Sequence, residues 1–299
     1  MGGSHLAGDV LKDVMPGLRM YIHRMYGLPA WRDEELNNSL IIASSYSGNT
    51  EEVIDSYNQA REKGLSLCVI AVGGELIAKA KADGVPYIQM PDTGIQPRSA
   101  LGYAFLSLLT VIGNDGMLQD ARKLSVDLNP ESLEQAGIAL ANKLKNKIPV
   151  IYTSDQNYSV AYNWKIKFNE TGKIPAFYNV LPELNHNEMT GFDPVLHDSY
   201  SDKKESNPEV KKLSDNLSFI IIKDKDDDPR VLHRMEILEK LYKDRGLPVE
   251  VLEMSKGNRL EKIFNSLILA DWTAVHVAEK YGLESEQVPM VEEFKKMMK

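Results

Sequence analysis

The sequence predicts an α/β protein made of two doubly wound parallel sheets in succession, with helices on both faces of each. Three observations carry the prediction. Short apolar runs of strand length alternate with longer helical patterns, an arrangement that requires parallel strands joined by crossover helices. The alternation runs twice, and the two passes are of similar size. Between them, Asn114 to Lys147 is richer in charge and reads as helical throughout. The expected division is therefore a first domain over residues 1–125 and a second over 126–299, related as a duplicated unit without exact sequence repeat.

In chain order, Met1 to Asp9 form a glycine–serine turn with no strand before it, leading into a helix from about Leu6. Leu40 to Ser44 reads as a strand and Thr50 to Lys63 as a helix stopped by Gly64, where a left-handed residue ends many helices. Leu67 to Val72 is the next strand, Glu75 to Ala82 a short helix closed by Gly84, and Tyr87 to Met90 a third strand. Pro97-Arg98-Ser99-Ala100 opens a strongly apolar helix, Leu101 to Ile112. Asn129-Pro130-Glu131-Ser132 marks a new helix start in the bridging stretch. The second pass reads strand Pro149 to Thr153, helix from about Gln156 to Glu170, and strands Ala176 to Val180 and Ser218 to Lys223. Helix Val231 to Arg245, strand Val249 to Glu253 and helix Arg259 to Tyr281 follow. An amphipathic helix, Met290 to Lys299, ends it. The charged run Lys223 to Pro229 is expected to be a solvated loop.

Composition narrows the function. At 299 residues with 43% hydrophobic and 26% charged content, the chain is an ordinary globular protein of two-domain size. Its longest apolar runs, such as Phe219 to Ile222, are too short to cross a bilayer, and no leader pattern is visible. The single cysteine, Cys68, excludes an internal disulfide, and its apolar neighbours imply a buried thiol in a cytoplasmic protein. A net charge of −8 argues against nucleic acid or an anionic membrane as partner. An anionic substrate must then be held by local donors.

Such donors stand in Ser45-Tyr46-Ser47-Gly48-Asn49-Thr50, between a strand and a helix that has two glutamates in its first turn. Hydroxyls, unpaired first-turn N–H groups and the helix dipole together make an anion site. The turn has no lysine and no P-loop spacing, so a single phosphate on a small molecule fits better than a nucleotide. The same residues would also serve simply to cap the helix. Other candidates lie further on. Glu170 ends a helix just before a glycine turn, where a carboxylate is less favourable than a cation. His186 lies in the polar loop Pro182 to Glu188 directly after a strand, suited to acid/base or hydrogen-bonding work. Arg98 begins a buried helix. Lys295, on the last helix, reads on its own as a solvated lysine. No zinc spacing, no GxSxG and no GxGxxG fingerprint is present.

Taken together and in this order, Gly2-Gly3-Ser4, Ser45-Tyr46-Ser47-Gly48-Asn49-Thr50, Pro97-Arg98-Ser99-Ala100-Leu101-Gly102-Tyr103, Asn169-Glu170-(x)2-Lys173 and Pro182-Glu183-Leu184-Asn185-His186-Asn187-Glu188 resemble the bifunctional phosphoglucose/phosphomannose isomerase family, of the sugar isomerase (SIS) fold. The resemblance covers nearly the whole chain. Its most specific part is the Asn-His-Asn-Glu loop with a glutamate 16 residues before the histidine.

The resemblance implies two flavodoxin-like SIS domains and aldose–ketose isomerisation of a hexose 6-phosphate, with no metal or organic cofactor. It implies that Ser45, Ser47 and Thr50 hold the phosphate while Gly3 and Ser4 approach the sugar. Glu170 would move the proton between C1 and C2 through an enediol, and Arg98 would stabilise the developing charge. His186 and Lys295 would assist ring opening. It also implies a homodimer in which His186 reaches the neighbouring site. Family members carry a helix and a strand before Gly-Gly-Ser, so the first domain is expected to lack both. Val288 stands where some members have threonine near the C2 hydroxyl, and Lys295 is taken in preference to Lys296. Two rivals are a non-catalytic phosphosugar-binding regulator, which would not need Glu170, and the isomerase half of a glucosamine-6-phosphate synthase, which would need a glutaminase domain.

Overall fold

The computed structural model describes residues 2–193, 195–197, 204–206 and 208–298. It contains two compact units, Met1–Ser125 and Val126–Lys299. In the first, a 3-10 turn, Gly2–His5, runs directly into α1 (Leu6–Val14), and α2 (Asp33–Asn37) precedes β1 (Leu40–Ser44). The alternation continues with α3 (Glu51–Glu62), β2 (Ser66–Ala71), α4 (Gly74–Asp83), β3 (Tyr87–Gln89), α5 (Leu101–Ile112) and α6 (Asp115–Asp127).

Among the described residues the first sheet has three parallel strands in the order β1-β2-β3. β2 is central: Val69, Ile70 and Ala71 are fully buried. Val69 and Ala71 pack with Tyr57 of α3 and Leu76 of α4. Cys68 lies in the same strand, and burial pushes its thiol up to about 11, so it stays protonated at neutral pH. The outer edge of β1 pairs with no described strand. A groove of about 850 Å³ runs along that edge, lined by Gly8, Tyr21, Trp31, Ile42, Val53 and Leu108.

The second unit holds α7 (Glu134–Lys143), β4 (Ile148–Ser154), α8 (Tyr158–Glu170), β5 (Phe177–Leu181), a short antiparallel hairpin of β6 (Val195–His197) and β7 (Lys204–Ser206), and α9 (Pro208–Ser214). Then come β8 (Leu217–Lys223), α10 (Pro229–Asp244), β9 (Val249–Glu253), α11 (Arg259–Lys280) and α12 (Pro289–Met297). The parallel sheet has the order β5-β4-β8-β9, so the strand order reverses between β4 and β8. Phe219 to Ile222 of β8 are at most 1% exposed. Each such side chain contributes about 1.5–3 kcal/mol by leaving water. Tyr152, Phe219 and Tyr242 pack in tilted and edge-on contacts on one face of the sheet, with Met235 and Leu238 of α10. On the other face Trp164 of α8 donates to Ser266 Oγ of α11 at 3.0 Å. α7 lies so close to α11 that a Cβ on Gly137 would sit 2.5 Å from Trp272 Cβ. No described helix is long and apolar enough to cross a membrane.

The expected strands and longer helices are present, with boundaries shifted by one or two residues. α2, the hairpin and α9 were not expected. All are too short to show a period; α2 is set instead by Glu35, whose carboxylate accepts from the Arg32 N–H at 3.1 Å. One expectation is corrected. The run Lys223 to Pro229 is not simply a solvated loop, because Asp224 and Asp227 are buried at 1% and 4% exposure. They follow β8 into the crevice beside β4, where Asp224 meets cations from α11 and Asp227 meets Ser154 and Asn157.

Candidate active site

The serine-rich turn leaves the C-terminal end of β1. Gly48 makes the reversal possible: its φ is +73°, and a Cβ there would collide with the Gly73 carbonyl oxygen. Ser45, fully buried, takes the Gly48 N–H at 3.1 Å and shares a 2.8 Å hydrogen bond with Thr50 Oγ1. Ser47 Oγ, at the exposed lip, accepts from the Asn49 N–H at 3.2 Å. Asn49 in turn ties the turn to α4 by accepting from the Glu75 N–H at 2.9 Å.

Thr50 occupies the N-cap position of α3 yet makes no side-chain cap bond. Its hydroxyl is turned to Ser45 instead, so the turn is not used as a plain helix cap. The Ser45–Thr50 bond uses one of the two hydroxyl hydrogens and leaves the other for a ligand. The first-turn N–H groups of α3 stand behind it, at the positive end of the helix dipole. The Tyr46 hydroxyl is buried with no hydrogen-bond partner among the described residues. Gly48→Ala should therefore weaken binding of a sugar phosphate by about 10-fold or more, the scale of losing one hydrogen bond to a charged group. Titration calorimetry checks it; binding at wild-type strength would show that the turn is not the anion site.

The N-terminal turn is packed onto this one. Ser4 Oγ accepts from the Tyr46 N–H at 2.8 Å. A Cβ on Gly3 would lie 2.5 Å from the Pro97 carbonyl carbon and 2.6 Å from the Arg98 nitrogen, so only glycine lets this backbone approach. Arg98, 4% exposed, precedes α5. Gly3, Ser4, Ser45, Ser47, Thr50 and Arg98 are thus gathered around one turn. The turn groups hydroxyls with helix N–H donors suited to an anionic ligand, and the Arg98 backbone packs beside it at Gly3.

The other candidates belong to the second unit. Glu170 is the last residue of α8 and half-buried. His186 ends a 3-10 turn, Glu183–His186, that follows β5, and it is exposed. α8 starts at the C-terminal edge of the sheet and returns to the N-terminal edge, and β5 then crosses back. Glu170 and His186 therefore lie at opposite edges, about 16 Å apart along the five residues of β5 at ~3.3 Å per residue. Lys295 on α12 is largely exposed and donates to Glu292 Oε1 at 2.7 Å. Lys296 is exposed on the same helix.

Three groups that matter here were not anticipated. Glu188 anchors the His186 loop to the sheet: its carboxylate accepts from the Tyr152 hydroxyl at 2.6 Å and from the Asn179 amide. Burial, then the nearby Tyr242 and Glu188, push the Tyr152 phenol far above its ordinary range, so it remains a donor. Lys173, inside a motif quoted for Glu170, donates to the Glu170 carbonyl at 2.6 Å. The third is the crevice between β4 and β8, where ligands of doubly wound sheets bind. It is filled by the protein's own charges: Asp224 is bonded to Lys262 and to Arg259 (2.9 Å), and Asp227 to Ser154 (2.7 Å) and Asn157 (3.1 Å). A charged run directly after a strand end was the available signal. The partners on α11 lie more than thirty residues away, out of reach of local pattern.

Comparison with known proteins adds to this geometry. Residues 134–298 match the family described as bacterial phospho-glucose isomerase C-terminal SIS domain. The chain is similar to the bifunctional phosphoglucose/phosphomannose isomerase of Aquifex aeolicus, with 31% identity over 304 residues covering 100% of this chain and 88% of that one. It is similar also to the protein of that name from Caldicellulosiruptor bescii, with 32% identity over 309 residues and coverage of 98% and 86%. Among solved structures, a hypothetical protein of Thermus thermophilus superposes with a TM-score of 0.71 at 17% identity, covering 100% of this chain and 81% of that one, which speaks for the fold.

Proposed function

The chain belongs to the bifunctional phosphoglucose/phosphomannose isomerase family, and from that premise we propose how its residues interconvert glucose 6-phosphate and mannose 6-phosphate with fructose 6-phosphate. The observation that carries the assignment is the turn at Ser45 to Thr50, whose geometry leaves hydroxyl and helix N–H donors free for a phosphate. Ser45, Ser47 and Thr50 bind that group, and Gly3 and Ser4 line the approach of the sugar. Glu170 removes the proton from C2 of the open-chain aldose and returns it to C1. The C1 carbonyl becomes a hydroxyl and the C2 hydroxyl a carbonyl, so the oxidation at C2 is balanced by the reduction at C1 and no redox cofactor is called for. Arg98 supports the negative charge that develops on oxygen in between. C2 is planar in the enediol, which is why one base serves both epimers. Lys295 and His186 move protons at the ring oxygen and the anomeric hydroxyl.

The separation of Glu170 and His186 across β5 supports a second reading within this proposal: the histidine acts in the site of a second copy, and the enzyme is a homodimer. Mixing Glu170→Gln with His186→Ala chains tests it. Each parent should be nearly inactive. Random exchange should restore about a quarter of wild-type activity, since half the dimers are mixed and one site in each is intact. No recovery, with subunit exchange demonstrated, would place both residues in the same chain's site and overturn the shared arrangement.

A further inference from the structure

Lys173 stands three residues after the proposed base in an unusual state. It is not glycine, yet its φ is +57°, in the left-handed region where a side chain is strained. Gly172, directly before it, does not take that conformation. A glycine at 173 would suit this backbone better, so something the lysine side chain does is retained against the strain.

Two bonds of the side chain go to main-chain oxygens. Its ammonium donates to the Glu170 carbonyl at 2.6 Å, and it also donates to the Gln287 carbonyl. The first satisfies one of the orphan carbonyls at the end of α8 and sets a cation at the negative end of that helix. The second reaches the segment just before α12, the helix that bears Lys295. That segment is itself fixed, since Glu284 takes the N–H groups of Glu286 and Gln287, both at 2.7 Å. The topology brings these parts together: α8 and α11 both return to the N-terminal edge of the sheet. Other bonds at this helix end, Thr171 N–H to Lys167 O (2.8 Å) and Ile174 N–H to Phe168 O (3.2 Å), close the turn without linking it to the 284–288 segment.

We infer that Lys173 is a positioning residue for the isomerisation: its ammonium clamps the end of α8, and so Glu170, to the segment that opens α12. The inference rests on Glu170 being the base. The lysine touches only main-chain oxygens in these two bonds and takes no proton from the sugar. Its task is to hold the Glu170 carboxylate where C1 and C2 are both within reach, and small displacements there are costly.

The test uses Lys173→Met, Lys173→Gly and Lys173→Arg in the full chain, with melting temperature, kcat, KM and deuterium uptake into product in D2O. Met removes the amine and keeps the strain, Gly removes both, and Arg keeps a cation. Met and Gly should lower kcat about 10- to 100-fold with KM within about threefold, because the phosphate turn is untouched. Deuterium uptake per turnover should rise, since a loosely held carboxyl exchanges its proton more often before returning it. Gly should melt at or above the wild-type temperature, which separates the loss from misfolding, and Arg should recover part of kcat. A Gly variant with wild-type kcat and wild-type deuterium uptake would overturn the inference. Glu170→Gln run in parallel keeps the two readings apart. If it is nearly as active as wild type, the base assignment fails; if it is inactive while Lys173→Gly is normal, only the clamp fails.

Discussion

Glu170→Gln is expected to lower kcat in both directions by about 10²–10⁴-fold, the range for losing a positioned acid/base group. Glutamine keeps the size of the side chain but cannot carry a proton from C2 to C1. KM should change little, because the phosphate is held by Ser45, Ser47 and Thr50 in the first unit. Stability should be unaffected or slightly raised. Glu170 ends α8, where a negative charge opposes the helix dipole by a few tenths of a kcal/mol up to about 1. Loss of turnover with an unchanged melting temperature is thus the expected signature. Turnover within a few-fold of wild type would mean that another group is the base.

Lys262→Met should be the most destabilising single change considered, at about 3–5 kcal/mol, because it strands a buried carboxylate. Lys262 and Asp224 are 2% and 1% exposed and bonded to each other. Arg259 also reaches Asp224, at 2.9 Å, and limits the loss to the lower part of that range. Burial draws the Lys262 ammonium down, but its bonds to Asp224 and Asp226 outweigh this and hold it above the ordinary lysine range. Its stabilisation is therefore complete below the ordinary lysine value and disappears as the pH rises through the raised one. Trp164 and Trp272 lie in the second unit and Trp31 in the first, so urea unfolding followed by tryptophan fluorescence, with Trp31→Phe as background, isolates the relevant transition. A loss under about 1 kcal/mol would show that the crevice is hydrated and the charges are not effectively buried. The pair also sets the protein's own charges at the strand reversal between β4 and β8 of the second sheet.

Much of this was legible in the sequence because it is local. The alternation of apolar runs and helical patterns gave the order of the strands and long helices, and the turn at Ser45 to Thr50 stood out as a candidate anion site from its neighbours alone. That the Thr50 hydroxyl turns to Ser45 and makes no cap bond to α3 is visible only in the structure. Spacing placed Glu170 at a helix end and His186 after a strand, but not their opposite positions on the sheet, which follow from the crossover between them. The Asp224–Lys262 pair joins a strand end to a helix 38 residues later. Lys173 was visible as a letter in a motif, whereas its left-handed backbone and its reach to Gln287 depend on how α8 and α11 return to one edge. α2 and the β6–β7 hairpin left no periodic signal because neither is long enough to show one.

The most direct test of the central claim is to supply purified protein with fructose 6-phosphate in the presence of EDTA and to score glucose 6-phosphate and mannose 6-phosphate separately, for wild type and Glu170→Gln. Both products should form with EDTA present, and the substitution should suppress both by the same factor, as expected for one enediol at one base. Formation of only one product, loss of activity in EDTA, or suppression of one product alone would contradict a single metal-independent site serving both epimers.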